Sequence, residues 1–397
     1  MDDGALGSLM NVPPIPIKLK DFRINGIATS NVKAGGSVPV LVRAEITSDQ
    51  PEFYLFMRAV TNLVAGKATE SGILIQMDRV SAFLVVTHPD GSADLYLQDF
   101  PVLIEMLAKD SVAKGEAVFQ PDIGDIRRLR MPWLKLEPKD GVLYCFKVGW
   151  KFALFFDLNP ARELDVDAME RSLGRLYRGL TFRDLYEALE SEEVLSKLIA
   201  AGWFPFVETI GGEFETLLKA YKNDFNIDEE TQRLVEKFDG KRIHAIGERW
   251  WREPLLADRK DILQRALEAF DRGDAVSCLK IILTEIEGIL QRAHIGERGT
   301  GASAKELLAY AANKGIEKAN DSNSLLFPLQ FQRYMLECTY AHFDPKNPAA
   351  NVMSRHSVGH GGASPAAYTK ERALQAILTL DQLNFYGVTT VDHQRTT

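Results

Sequence analysis

The segment Arg355-His356-Ser357-Val358-Gly359-His360-Gly361-Gly362 holds the residue types best suited to chemistry in this chain. A guanidinium stays charged at physiological pH and can hold phosphate oxygens bidentately, while an imidazole moves a proton near neutrality. Together they suffice for phosphoryl chemistry without a metal. His356 and His360 stand four apart, which on a helix would put both on one face as in a zinc site. Yet three glycines disfavour a helix, no Glu follows His356, and no third ligand stands at a recognisable spacing. Neither a metal nor any other cofactor is expected. Five of the seven histidines, His294, His342, His356, His360 and His393, lie in the last third of the chain, so proton chemistry is favoured there.

Four other features offer chemistry. Asp381 lies on the apolar stripe of a helix-patterned segment, where an unpartnered carboxylate would be costly to bury. Its expected partner is a guanidinium or imidazole from the preceding loop, or a backbone amide. His342 continues the Phe331–Cys338 stripe at helical spacing and reads as a satisfied core histidine. Arg127, Arg128 and Arg130 beside Trp133 form a small basic cluster that could touch an RNA backbone and stack on a base, or form a solvated strand edge. The run from Gly296 to Ser303 has the outline of a phosphate-binding loop, but Ala302 stands where lysine is needed and a helix, not a strand, precedes it. It reads as an interhelical turn that caps the next helix.

The elements that must position these residues suggest an α+β protein with a β-rich start and a helical end. Of 397 residues, 46% are hydrophobic and 26% charged, enough to fold and too many for one small core. Residues 1–13 read as a flexible tail. Residues 14–160 read as a β-rich domain, with a hairpin of Ala82–Thr87 and Ala93–Leu97 about a Pro-Asp-Gly turn, and one helix near Pro101–Lys109. Residues 161–257 read as a helical connector: Asp165–Leu180, Phe182–Ala201, Phe206–Tyr221 and Asp228–Phe238, with Gly202 and Gly240 closing two of them. Residues 258–390 read as a bundle with helices over 258–271, Val276–Ala293, Ser303–Ala312 (opened by a Ser303/Glu306 capping box), a helix beginning at Pro328, and Lys370–Phe385. Net charge is −8, all of it from residues 1–257, which argues against a constitutive nucleic-acid coat protein but not against an enzyme gripping RNA locally. Three scattered cysteines suit a reducing compartment. An acidic N-terminus and the lack of an unbroken apolar run of roughly 20 residues point to a cytoplasmic protein without a membrane partner.

The order Arg355, a polar residue (His356), three variable residues and His360, ahead of the last long helix of a bundle, resembles the RNA-cleaving motif of HEPN domains. The resemblance covers about residues 258–390. It implies an all-helical domain that forms a homodimer, so that two copies of the motif face each other across one composite site. Arg355 would polarise the scissile phosphate, His360 would act as general base or acid, and His356 would orient the loop or contact RNA. The products would carry a cyclic phosphate. Some family members use an acidic residue from an earlier helix, a part that Glu285 or Glu287 would play, with Asp381 as a further supporting carboxylate. The resemblance also implies a toxin or anti-phage effector, restrained through residues 1–257 or released by a regulatory protein or phage trigger. The alternative it allows is a non-catalytic RNA- or protein-binding dimer module, in which Arg355 pairs with Asp381 and His360 caps a helix.

Overall fold

A computed structural model describes residues 13–98, 100–158, 162–223, 227–342 and 354–388. The expected tail, apart from Pro13, the Asn159-Pro160 junction and His393 lie outside these residues. The chain has a β-sheet N-terminal region and a helical C-terminal region. It divides into two compact units. The first takes the described residues up to Met106 together with Ile126–Arg183, and the second takes Leu107–Asp125 together with the described residues from Asp184 onward. Among the described residues no helix is long and apolar enough to cross a membrane.

The first unit is built on a six-stranded antiparallel sheet. Its strands are β1 (Ile17–Leu19), β4 (Arg43–Thr47), β5 (Phe83–Thr87), β6 (Ala93–Leu97), β9 (Gly141–Val148) and β10 (Lys151–Asp157), in the order β1-β6-β5-β9-β10-β4. Two short ribbons are also present: β2 (Ile27–Ala28) with β3 (Val40–Leu41) in this unit, and β7 (Leu103–Ala108) with β8 (Ile123–Arg130), of which Leu107, Ala108 and residues 123–125 belong to the second unit. The hairpin expected at 82–97 is β5-β6, closed where Gly91, at a φ of +86°, donates its N–H to the His88 carbonyl. The two-residue period sorts the central strands onto two cores. Phe83, Val85, Leu143, Cys145, Leu154 and Phe156 enter one, and Leu84, Val86, Val142, Tyr144, Phe146 and Phe155 the other.

Each core is covered by a helix. The first cover, α1 (Pro51–Glu70), has no counterpart in the sequence expectations, although Phe53, Phe56, Val60, Val64 and Ala68 are spaced at one face of a helix and Pro51 suits its first turn. The second, α2 (Val166–Thr181), falls within the stretch that the sequence reads as a connector. It belongs with the sheet because Leu173, Leu176 and Leu180 complete the second core and the buried Arg178 donates to the Ile126 carbonyl at 2.7 Å. The helix expected near Pro101–Lys109 is instead strand β7, since pairing with β8 overrides the helix propensity of Leu-Ile-Glu-Met-Leu-Ala.

The second unit joins the rest of the expected connector to the expected bundle. Its helices begin with α3 (Arg183–Glu190), α4 (Glu192–Ala200), α5 (Glu213–Lys222), α6 (Ile227–Glu236), α7 (Gly240–Trp250) and α8 (Pro254–Ala257). Then come α9 (Lys260–Asp271), α10 (Ala275–Arg298), α11 (Ala304–Ala319), α12 (Pro328–Tyr334), α13 (Arg355–Gly359) and α14 (Lys370–Phe385). Ser191 divides the single helix expected over 182–201, because its side chain accepts the Val194 N–H and starts α4. Residues 206–212 are irregular, and Gly212, at a φ of +146°, delays α5 to Glu213. Gly202 follows α4 at a φ of +78°, whereas Gly240 opens α7 behind the Asp239 cap rather than closing the helix before it. α10 spans about 36 Å and is the axis against which α9, α11, α13 and α14 pack. The glycine run after it is the expected turn: Gly299 ends α10 at a φ of +77°, and the Ser303/Glu306 capping box opens α11.

The dependence of the first unit on close backbone approach is testable at Gly174. A Cβ there would stand 2.7 Å from the Arg128 Cα and 2.8 Å from the Arg127 carbonyl oxygen, both main-chain atoms. Gly174→Ala should therefore cost about 1–3 kcal/mol, read as a lower urea midpoint with an unchanged denaturant slope.

Candidate functional site

Arg355 begins α13, and two buried serines hold that single turn in place. Ser354 donates its N–H to the Ser357 hydroxyl at 2.9 Å, and Ser357 returns an N–H to the Ser354 hydroxyl at 3.3 Å. The glycines that argued for a loop follow rather than prevent this turn. His360 ends it, donating its backbone N–H to the His356 carbonyl at 3.0 Å, and Gly361 turns the chain at a φ of +67° so that Gly362 reaches the Ser357 carbonyl at 2.8 Å.

The Arg355 guanidinium lies 2.6 Å from Glu287 on α10, each side chain 28% exposed. The Glu287 Oε2 makes a close charge pair with it rather than a well-aligned hydrogen bond. Arg355 also lies 5.7 Å from the centre of the Tyr340 ring, and His356 meets the same ring edge-on at 6.3 Å. One aromatic side chain thus positions both groups. The Tyr340 hydroxyl is buried without a hydrogen-bond partner among the described residues, and burial raises its pKa. Burial, reinforced by the Arg355 charge, lowers the His356 pKa below the ordinary imidazole value; Glu287 opposes this, while His360 and His342 add to it. A neutral His356 can accept a proton near pH 7.

The remaining expectations separate. Glu285 is two residues, and so about 200° around the helix, from Glu287, and it takes a two-pronged contact from Arg259 at 2.7 and 2.8 Å. Asp381 does have a guanidinium partner, but from α7 rather than the preceding loop: Arg249 at 3.0 Å, joined by the Trp250 indole N–H at 2.8 Å. It does not pair with Arg355. His342 is exposed rather than in the core, because the helical stripe ends in a π-turn over Met335–Thr339. Arg127, Arg128 and Arg130 lie on β8 in the first unit beside carboxylates. Arg127 is 3.8 Å from Glu105, Arg128 pairs with Asp167, and Arg130 is 3.2 Å from Glu170. A phosphate there would have to displace these partners. Among the described residues no group of three or more His, Cys, Asp or Glu side chains is placed to hold a metal ion.

Sequence reasoning missed Ser354, Ser357 and Tyr340. The serines have a legible signal, a hydroxyl at the cap and another three residues later. Tyr340 has none, since its place depends on the π-turn. Comparison with protein-family models, curated proteins and solved structures finds no match for the chain.

The lowered His356 pKa has a definite sign. The folded state favours the neutral ring, so the unfolded chain takes up the proton first as pH falls. The stabilising contribution is present above about pH 6.5 and lost as pH drops through the folded value. An NMR titration should place the His356 midpoint below 6.5, and His356→Gln should flatten the loss of melting temperature between pH 7.5 and 5.

Proposed function

We propose that the chain is a metal-independent endoribonuclease of HEPN type, with its active centre at Arg355, His356 and His360 and two copies of the chain forming a composite site. The observation that carries this reading is the collection of a guanidinium and two imidazoles on one serine-capped turn, α13, against a carboxylate of the long helix α10. In the proposed reaction Arg355 holds a non-bridging oxygen of the scissile phosphate and His360 takes the proton of the RNA 2′-hydroxyl. The 2′-oxygen then attacks phosphorus. The bond to the 5′-oxygen breaks as that oxygen takes a proton from a second imidazole, leaving a 2′,3′-cyclic phosphate and a 5′-hydroxyl. Glu287 aligns Arg355 until phosphate arrives. Such an enzyme suits a toxin or anti-phage effector in the cytoplasm, kept inactive through the first unit or by a regulatory protein.

A second reading, a non-catalytic RNA- or protein-binding dimer, is favoured by the Arg355–Glu287 pair, which already occupies the guanidinium. Kinetics on the full chain separate the two. Cleavage of a labelled RNA should persist in EDTA, fall about 10²- to 10⁴-fold in His360→Ala, fall less in His356→Ala, and fall sharply in Arg355→Lys, which keeps the charge but loses the planar fork. Full activity in all three variants with unchanged melting overturns the assignment. Light scattering should give a dimer, since an isologous two-fold contact is the commonest arrangement.

A further inference from the structure

Lys109 stands on a wall shared by two clefts of the second unit, one of about 550 Å³ and one of about 310 Å³. Their charge differs. Carboxylates outnumber cations in the larger cleft, five to three. In the smaller, Lys109, Arg249, Arg252 and Lys318 face Asp110, Glu253 and Asp381. Two of these charges are already matched, because Asp381 accepts from Arg249 and from Trp250. By contrast, Lys109, Arg252 and Lys318 have no carboxylate within ion-pair distance among the described residues, and the Arg252 side chain donates only to the Ser111 hydroxyl at 3.3 Å.

Lys109 is the informative member. The carboxylates that act on its charge, Glu208 and Glu213, are spent on arginines: Glu208 takes Arg242 at 2.9 Å and Arg249 at 2.6 Å, and Glu213 takes Arg242 at 2.7 and 2.9 Å. Its ammonium is thus withdrawn from water without a counter-ion of its own. Burial pushes its pKa down to about 8; Arg242 and Arg249 push the same way, while Glu208 and Glu213 oppose. An anion in the cleft would supply the missing partner. Three cations lining one cleft without carboxylate partners exceed what one carboxylate needs and suit a phosphate, which offers more charge and more acceptor oxygens. The same cleft is lined by Leu107 and by Phe385, which is partly exposed and offers an aromatic face on which a flat ring system can stack.

We propose that this cleft binds a small phosphorylated ligand of nucleotide size, with its phosphate on Lys109, Arg252 and Lys318 and its ring system against Phe385. The site is independent of the ribonuclease reading, since none of its residues belongs to the Arg355 cluster. A free nucleotide and a nucleotide within an RNA strand share this chemistry, and the cleft size favours the free one.

The test is calorimetry on the full chain with three probes: inorganic pyrophosphate, ADP and a short RNA. Both small probes should bind at one site per chain, ADP more tightly, with affinity reduced at least about tenfold by Lys109→Met or Arg252→Gln and unchanged by His360→Ala. Binding should draw a proton onto Lys109, so affinity should fall as pH rises above about 8, by up to about tenfold per unit. Lys109→Arg, charged throughout that range, should abolish the fall. Absence of saturable binding up to about 10 mM, binding unaffected by the Lys109 and Arg252 variants, or binding of the RNA alone would each overturn the proposal. Melting temperatures of the variants, matched to the parent, confirm that any loss is local.

Discussion

The second unit is organised by one constraint: α14 is buried around its whole circumference. Residues 373–383 are all buried, polar ones included. A helix with no solvated face draws its polar side chains onto internal partners, although the Gln382 Nε2 finds none among the described residues. Gln375 donates to the Ala201 carbonyl, Thr379 turns back to the Gln375 carbonyl, Asp381 takes Arg249 and Trp250, and Gln382 accepts the Val207 N–H. Apart from the Gln375 carbonyl, which lies in α14 itself, these partners come from the segment after α4 and from α7. They explain why the helices following α2 form one unit with the bundle instead of a separate connector.

The charges around Asp381 and those around Arg355 illustrate two uses of a carboxylate. Asp381 is locked: Arg249 is shared with Glu208, which in turn shares Arg242 with Glu213, so the chain of pairs joins α14 to α7 and α5. Removing one member would strand a buried charge. Glu287 and Arg355 form a single, partly solvated pair, in which exchange for another anion costs far less. The first cluster thus ties helices together, whereas the second leaves a guanidinium that another anion can claim.

Much of this was legible where a local pattern and a local cap agree. The β5-β6 hairpin, the terminal helix, the long α10 and the Ser303 capping box all follow from residues within a few positions of one another. What was illegible depends on residues far apart. Nothing near Asp381 announces Arg249, 132 residues earlier. β7 is a strand only because β8 pairs with it, and α2 reads as any amphipathic helix until the second core of the sheet claims its leucines. α1 is different, since its apolar spacing and Pro51 were available, and β-rich surroundings obscured them. In the candidate site the chemical groups were legible and their supports were not: Glu285 and Glu287 are equivalent on paper, and helix phase alone separates them.

The π-turn over Met335–Thr339 amounts to one extra residue in the winding of a helix, marked by the Tyr340 N–H reaching back five positions to the Met335 carbonyl at 2.7 Å. That insertion shifts the angular phase at which Tyr340 leaves the helix by roughly 100°. It lets Phe331 and Tyr334 remain in the aromatic cluster with Phe204 and Tyr386 while Tyr340 turns toward Arg355 and His356. Core packing and site geometry therefore answer to different registers of the same stretch of chain. The core can keep its side chains while Tyr340, the ring that Arg355 and His356 meet, is re-aimed by a single-residue insertion or deletion, a change of length rather than of side-chain identity.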